Sequence, residues 1–369
     1  MQRTFVVLAL LAGLIATSAS AQNWRTEVGI QGGYTRIKPA GTGVADQIDV
    51  FGFPGDLFGV TPSIASLYAI FPWKSKLAIE PTLSFFQGNT VFLLGDATFV
   101  TLGLRGDYAV TRKFYVAAGG VVHWYESGGT GETQLGLQGA VGYRFPFIAG
   151  LRGRIEGNAT FFGNSENLSA ANAYGLSFGV SKQIGAAARA RAATPQPRRA
   201  TNRDWEPTFG LQGGYSRAHG VGGGDLTSLS FPGIGGTFGT LGSVAASPTL
   251  FAILPIGRKI AIEPGLDFHR VQSQGSTIFS GNLSARLAYA VSGGWYGALG
   301  GNLHHLKVTG TSAETIMGLN LGWGYRFPLL SGLGGRVEAN YNLSGKNDNL
   351  GLPAINTFSI NFGITTPLR

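Results

Sequence analysis

The chain has 369 residues, no cysteine, a formal net charge of +9 and only 13% charged residues, about half the share expected of a soluble globular protein. Glycine contributes 59 positions and aromatic residues 11%. This composition excludes a disulfide-stapled scaffold and a charge-coated soluble surface. After the N-terminus no run reaches the roughly 18 apolar residues that a membrane-spanning helix needs, so any crossing has to be made by strands.

Arg3, the apolar stretch from Phe5 to Ala16 and the small-residue ending Ala19-Ser20-Ala21 predict a cleaved export signal over residues 1–21, with a mature start at Gln22. An exported chain has no access to cytoplasmic nucleic acid, so the positive charge is not read as a nucleic-acid footprint. Much of the excess sits in one place, at Arg189, Arg191, Arg198, Arg199 and Arg203. With Pro195 and Pro197 among alanines, residues 185–204 read as a basic linker.

The linker separates two copies of one unit, 22–184 and 205–369. Gly29-Ile30-Gln31-Gly32-Gly33-Tyr34 returns as Gly210-Leu211-Gln212-Gly213-Gly214-Tyr215, and Ala78-Ile79-Glu80-Pro81 returns as Ala261-Ile262-Glu263-Pro264. A hairpin centred on Gly142-Tyr143-Arg144-Phe145-Pro146 returns around Gly324-Tyr325-Arg326-Phe327-Pro328. Period-two alternation predicts eight strands in the first copy, over 24–37, 62–72, 75–87, 97–110, 113–126, 132–146, 150–163 and 172–183. The second copy repeats them over 206–217, 244–254, 258–271, 277–291, 294–308, 313–327, 332–345 and 355–366. Tight turns such as Trp73-Lys74 and Thr111-Arg112 alternate with long connections such as Lys38 to Thr61, the layout of an up-and-down meander.

Along 75–87 one parity is Leu77, Ile79, Leu83 and Phe85 and the other is Lys76, Ala78, Glu80, Thr82 and Ser84. Placing the apolar parity inside would leave a soluble barrel with almost no surface charge. The inverse assignment, apolar face to lipid and polar face to the lumen, fits the composition. Aromatic residues agree, with Phe71, Trp73, Phe114, Tyr115, Phe145 and Phe147 toward the short turns and Phe85, Trp124, Phe161 and Tyr174 toward the long loops, as two interfacial girdles.

The Gly-rich first strand Gly29 to Tyr34, the long first loop, and the Gly-aromatic last strands Tyr174 to Val180 and Phe358 to Ile364 give the chain a resemblance to the small outer-membrane β-barrels, the eight-stranded OmpA/OmpX-like family. The chain ends Thr366-Pro367-Leu368-Arg369, without the terminal aromatic residue that often closes such barrels. The resemblance implies an all-β fold of transmembrane antiparallel barrels in the cell outer membrane. Its partners would be membrane lipid, lipopolysaccharide and the barrel-assembly machinery. Sixteen strands can close as two tandem eight-stranded barrels or as one sixteen-stranded barrel.

Glu80, Arg105, Arg154 and Glu156 fall on the lumen parity at similar heights, and the second copy repeats them as Glu263, Arg286, Arg336 and Glu338. In a narrow barrel they would meet as an ion-pair cluster, which either fills the lumen or gates it. In a wide pore their matched depth has no purpose, so two barrels are preferred. The expected role is structural or surface-interacting with at most narrow, gated permeation, and the alternative is a porin-like diffusion channel. An outer-membrane lipid-modifying enzyme is a weaker reading, because His123 and His304 share no triad partners and no metal-ligand spacing. No cofactor is expected. The loop motifs Phe53-Pro54-Gly55 and Phe231-Pro232-Gly233 suggest a cover over the barrel mouth or a surface for an unknown ligand.

Overall fold

The computed structural model describes residues 24–39, 47–53, 67–90, 95–127, 129–147, 151–166, 170–184, 205–220, 225–231, 235–236, 245–247, 250–273, 276–310, 312–330, 333–345 and 354–368. The export signal, the basic linker and the Pro-Gly tips of the two loop motifs lie outside the described residues.

In the first repeat the strands are β1 (Glu27–Pro39), β2 (Ile48–Phe53), β3 (Leu67–Pro72), β4 (Leu77–Thr90), β5 (Gly95–Ala109), β6 (Phe114–Ser127), β7 (Thr130–Pro146), β8 (Arg152–Phe162) and β9 (Ala171–Gln183). The second repeat carries β10 (Thr208–Gly220), β11 (Asp225–Phe231), the short pair β12 (Gly235–Gly236) and β13 (Ala245–Ser247), and β14 (Leu250–Pro255). It continues with β15 (Ile260–Ser273), β16 (Ser276–Ser292), β17 (Trp295–Val308), β18 (Glu314–Leu330), β19 (Leu333–Ser344) and β20 (Ile355–Pro367). Every ladder is antiparallel.

At the short-turn end there are two closed eight-stranded barrels. The first runs β1-β3-β4-β5-β6-β7-β8-β9 and closes where β9 pairs β1 from Gln183↔Glu27 to Ala171↔Pro39. The second runs β10-β14-β15-β16-β17-β18-β19-β20 and closes in the same way through β20 and β10. Closure leaves no free sheet edge, the condition for strands in hydrocarbon. The repeats keep their register as well as their sequence, since Arg144 pairs Arg154 and Arg326 pairs Arg336.

Toward the long loops the pairing changes partners. The first loop, read from sequence only as a long connection, contains strand β2, and its counterpart in the second repeat contains β11. β2 lies against Gly33 to Ile37 of β1 on one side, but on the other it pairs Phe268–Ser273 of β15, in the second repeat. Reciprocally, β11 pairs β10 and then Phe85–Gly88 of β4, in the first repeat. At this level the ladder runs from β4 through β9 to β1, β2 and β15, on to β20, β10 and β11, and back to β4. That is a ring of sixteen strands surmounting two rings of eight. Where β1 and β10 switch partners, Ile30, Leu211 and Leu250 are buried together with Leu67 and Phe209 against them. Their outward-facing parity is thus covered by the neighbouring barrel.

Candidate functional site: two charged lumens

The walls are inside-out. Leu137 is 71% exposed and Met317 70%, while Glu80, Asp107 and Glu338 are fully buried. Alternation sends every second side chain of a strand outward, and here the outward set is Leu, Ile, Val and aromatic: Leu102, Leu104, Leu135, Ile155, Leu176, Leu283, Leu299, Leu319 and Ile360 are all exposed. At the short-turn end Lys74, Lys76, Lys113 and Lys259 each place their ammonium 5.5–6.0 Å over the ring of Trp73, Tyr108, Tyr143 and Tyr289, an arrangement suited to an apolar–aqueous boundary. Phe114 belongs to this outer girdle, but its neighbour Tyr115 does not. Parity turns Tyr115 into the lumen, where it is 1% exposed.

In the first lumen, Glu80 on the third wall strand forms an ion pair with Arg105 of the adjacent strand at 2.8 Å and accepts a hydrogen bond from Arg154 of the opposite wall at 2.6 Å. Arg105 also forks onto both oxygens of Glu156, at 2.8 and 2.5 Å, and the Tyr115 hydroxyl donates to Glu156 at 2.7 Å. Arg154 bonds Gln31 and lies 3.5 Å over the Tyr68 ring. Buried charges need this density of partners, because desolvating an unpaired one costs several kcal/mol.

The second lumen repeats the cluster. Arg286 reaches Glu263 at 2.5 Å and both Glu338 oxygens at 2.7 Å, while Arg336 holds Glu263 at 2.9 Å. Tyr296 donates to Glu338 at 2.6 Å, and Arg336 lies 3.7 Å over Phe251. All eight residues predicted for the cluster are brought together in their two sets of four. A narrow barrel makes this contact inevitable, since its interior only just accommodates side chains.

Several members were not singled out from sequence. Asp107, two residues beyond Arg105 and so on the same face, approaches Arg105 Nε at 3.3 Å. Glu27 pairs Arg144 and accepts from Ser181 at 2.7 Å, and the Trp24 indole donates to the Lys76 carbonyl at 3.0 Å. Parity alone was a sufficient signal for Asp107, Tyr115 and Tyr296. The two repeats differ here, because Ala288 and Thr208 stand where the first has Asp107 and Glu27. Beneath the second cluster is a cavity of about 630 Å³ lined by Glu206, Thr208, Ile253, Arg326 and Thr365 among others. Arg326 stacks 3.8 Å over Trp205 in its wall.

Glycine opposite each tyrosine is a packing requirement. A Cβ on Gly142 would fall inside the Tyr115 ring, and one on Gly324 inside the Tyr296 ring, 2.4 Å from its Cζ. We expect Gly324→Val to expel Tyr296 from Glu338 and to lower the temperature at which the folded band is lost on unboiled gels, whereas Gly106→Val, which meets open space, should leave it unchanged.

Among known proteins, no family model matches the chain and no curated protein matches it. Solved structures that align over most of the chain include a bacterial polysaccharide outer membrane secretin, at 8% identity over 94% of this chain and 99% of that one, TM-score 0.34. Others are the CymD monoaromatic hydrocarbon channel, at 10% identity over 94% and 89%, TM-score 0.29, and OmpT of Vibrio cholerae, at 8% identity over 95% and 99%, TM-score 0.25. Similarity this slight says nothing about what this chain does.

Proposed function

We propose that the chain is an outer-membrane protein of the small-barrel type with a structural or surface-interaction role, whose two lumens are closed by ion-pair plugs and pass at most a narrow, gated leak. The observation that carries this reading is the combination of an apolar outer wall with a cluster of buried, mutually bonded charges across each eight-stranded lumen. Such a wall fits lipid and lipopolysaccharide outside, and insertion of closed barrels calls for an assembly machinery. The export signal supplies the route. A non-catalytic reading of the first barrel is supported by His123, which shares a 2.9 Å hydrogen bond with Thr101 and stacks on Phe99, a packed setting with little room for substrate.

Planar-bilayer recording tests it. Purified protein is expected to show no large stable conductance, and a steady porin-sized current would overturn the reading. Glu80→Ala removes the carboxylate that ties Arg105 to Arg154 across the lumen, and it should open a measurable ion leak if the plug is the barrier. Unchanged conductance in that variant would reduce the cluster to a filler of the wall.

A further inference from the structure

Above the plugs, toward the long loops, the two lumens have diverged. In the first barrel this level is packed: Phe99 and Phe162 are 1% and 4% exposed, Val121 is buried beside them, and Phe99 stacks on Tyr125 at 5.0 Å and on His123 at 6.4 Å. The register places Ser280 where the first barrel has Phe99, Asn302 for Val121, Ser344 for Phe162, Asn282 for Thr101 and Asn342 for Thr160. Three apolar fillers of the first lumen are thus matched by two hydroxyls and a carboxamide in the second, while Gln134 and Tyr125 are matched by buried Ile316 and Leu306.

These polar groups are buried and incompletely bonded. Asn282, Asn302 and Asn342 are 1%, 5% and 0% exposed. Neither carboxamide atom of Asn282 or Asn302 has a hydrogen-bond partner, and Asn342 Oδ1, Asn340 Nδ2, Thr357 Oγ1 and His304 Nδ1 also lack one. In the first barrel the equivalent histidine is satisfied by Thr101. Native interiors rarely leave buried polar atoms unpaired, and a cluster of them calls for an occupant that supplies both donors and acceptors.

We propose that the long-loop half of the second lumen, where the Asp267 carboxylate lies beside the carboxamides, is a blind binding site for a hydroxyl-rich ligand of the saccharide or polyol class. A carboxamide offers two donors and an acceptor and pairs with a hydroxyl in either sense. The level just below is closed by Arg286 with Glu263 and Glu338, so a ligand would have to enter from the long-loop side. Arg286 Nη1 also donates to Asn320 at 3.1 Å and Asn340 at 2.8 Å, which ties the floor of the site to the plug. The chemistry excludes an apolar ligand, which would strand these groups, and an anionic one, which the buried carboxylate of Asp267, cross-strand from Asn282, would repel.

This extends the surface-interaction reading to a ligand class, and it fails separately from it, because binding is measured in detergent and conductance in a bilayer. Calorimetric titration of the full protein with glucose, sucrose and myo-inositol should give saturable binding by at least one of them, with an upward shift of the unfolding temperature at saturation. The control variant rebuilds the first barrel's filling in the second, Ser280→Phe, Asn302→Val and Ser344→Phe together, a set already packed in a barrel of the same register. Its binding should fall at least tenfold while binding-independent heat-modifiability persists. Absence of saturable binding by all three probes would overturn the proposal, as would equal binding by the filled variant. If the filled variant does not fold, Asn302→Ser, which keeps the lumen hydrophilic but removes one carboxamide, should weaken binding severalfold, and no change there would overturn it equally.

Discussion

Cutting the chain between its repeats, within residues 185–204, should not release two proteins. On unboiled gels the two halves are expected to migrate together at the position of the intact molecule and to part only on heating. The cause is the exchange of strands. β2 forms six register pairs with β15, from Phe268↔Phe53 to Ser273↔Ile48, and β11 forms four with β4. Backbone groups at this level bond across the repeat boundary, and in an apolar surrounding no water replaces a bond that is broken. The buried contact of Ile30 with Leu211 and Leu250 adds packing below the exchange. Halves that separate without heating would show that each long-loop seam closes within its own repeat.

The second large effect is expected at the plug. Glu338→Ala takes from Arg286 two 2.7 Å contacts and from Tyr296 its hydrogen-bond acceptor, leaving a buried guanidinium with Glu263 as its one remaining carboxylate beside the carboxamides of Asn320 and Asn340. Removing one partner of a buried ion pair costs about 3–5 kcal/mol. The loss should appear as a lower denaturant midpoint for the folded form. Replacing both partners, Glu338→Gln with Arg286→Met, should cost clearly less than the sum of the single changes, because the second removes the charge that the first stranded. Additive losses would argue that the two side chains act independently despite their separation of 2.7 Å. The same pair of changes at Glu156 and Arg105 provides the internal comparison.

Most of the wall was legible in the sequence to within a few residues, but the strand expected over 244–254 enters the wall only at Leu250, residues 245–247 pairing with β12 instead. Alternation such as Leu77-Ala78-Ile79-Glu80 carries both strand and sidedness, and the repeat supplied the same signal twice. The ion-pair residues were legible because parity and depth can be counted from a tight turn. Three things were not. β2 and β11 lie in stretches rich in glycine with no clean alternation, and their partners belong to the other repeat, so no local pattern could announce them. Tyr115 was assigned to the outer girdle by its neighbourhood, when its parity already put it with Ala117 in the lumen. The divergence of the two upper lumens depended on knowing which residues share a level, and that requires register. The choice between two barrels and one also changes with height, since two rings of eight share a rim of sixteen.

The filled and the hydrophilic lumen have a further meaning in the history of the chain. A single small barrel must spend its interior on staying folded, and a change such as phenylalanine to serine at its centre brings it toward the threshold below which it fails. Two repeats that exchange strands relax that constraint on one of them. The first barrel, with Phe99 and Phe162 packed inside it, acts as a brace, and through β2 and β11 it lends its rigidity to its twin. The second repeat can then carry asparagine and serine at positions the first fills with Phe99, Val121 and Phe162. Mechanical redundancy in the wall is thus a source of chemical freedom in the bore.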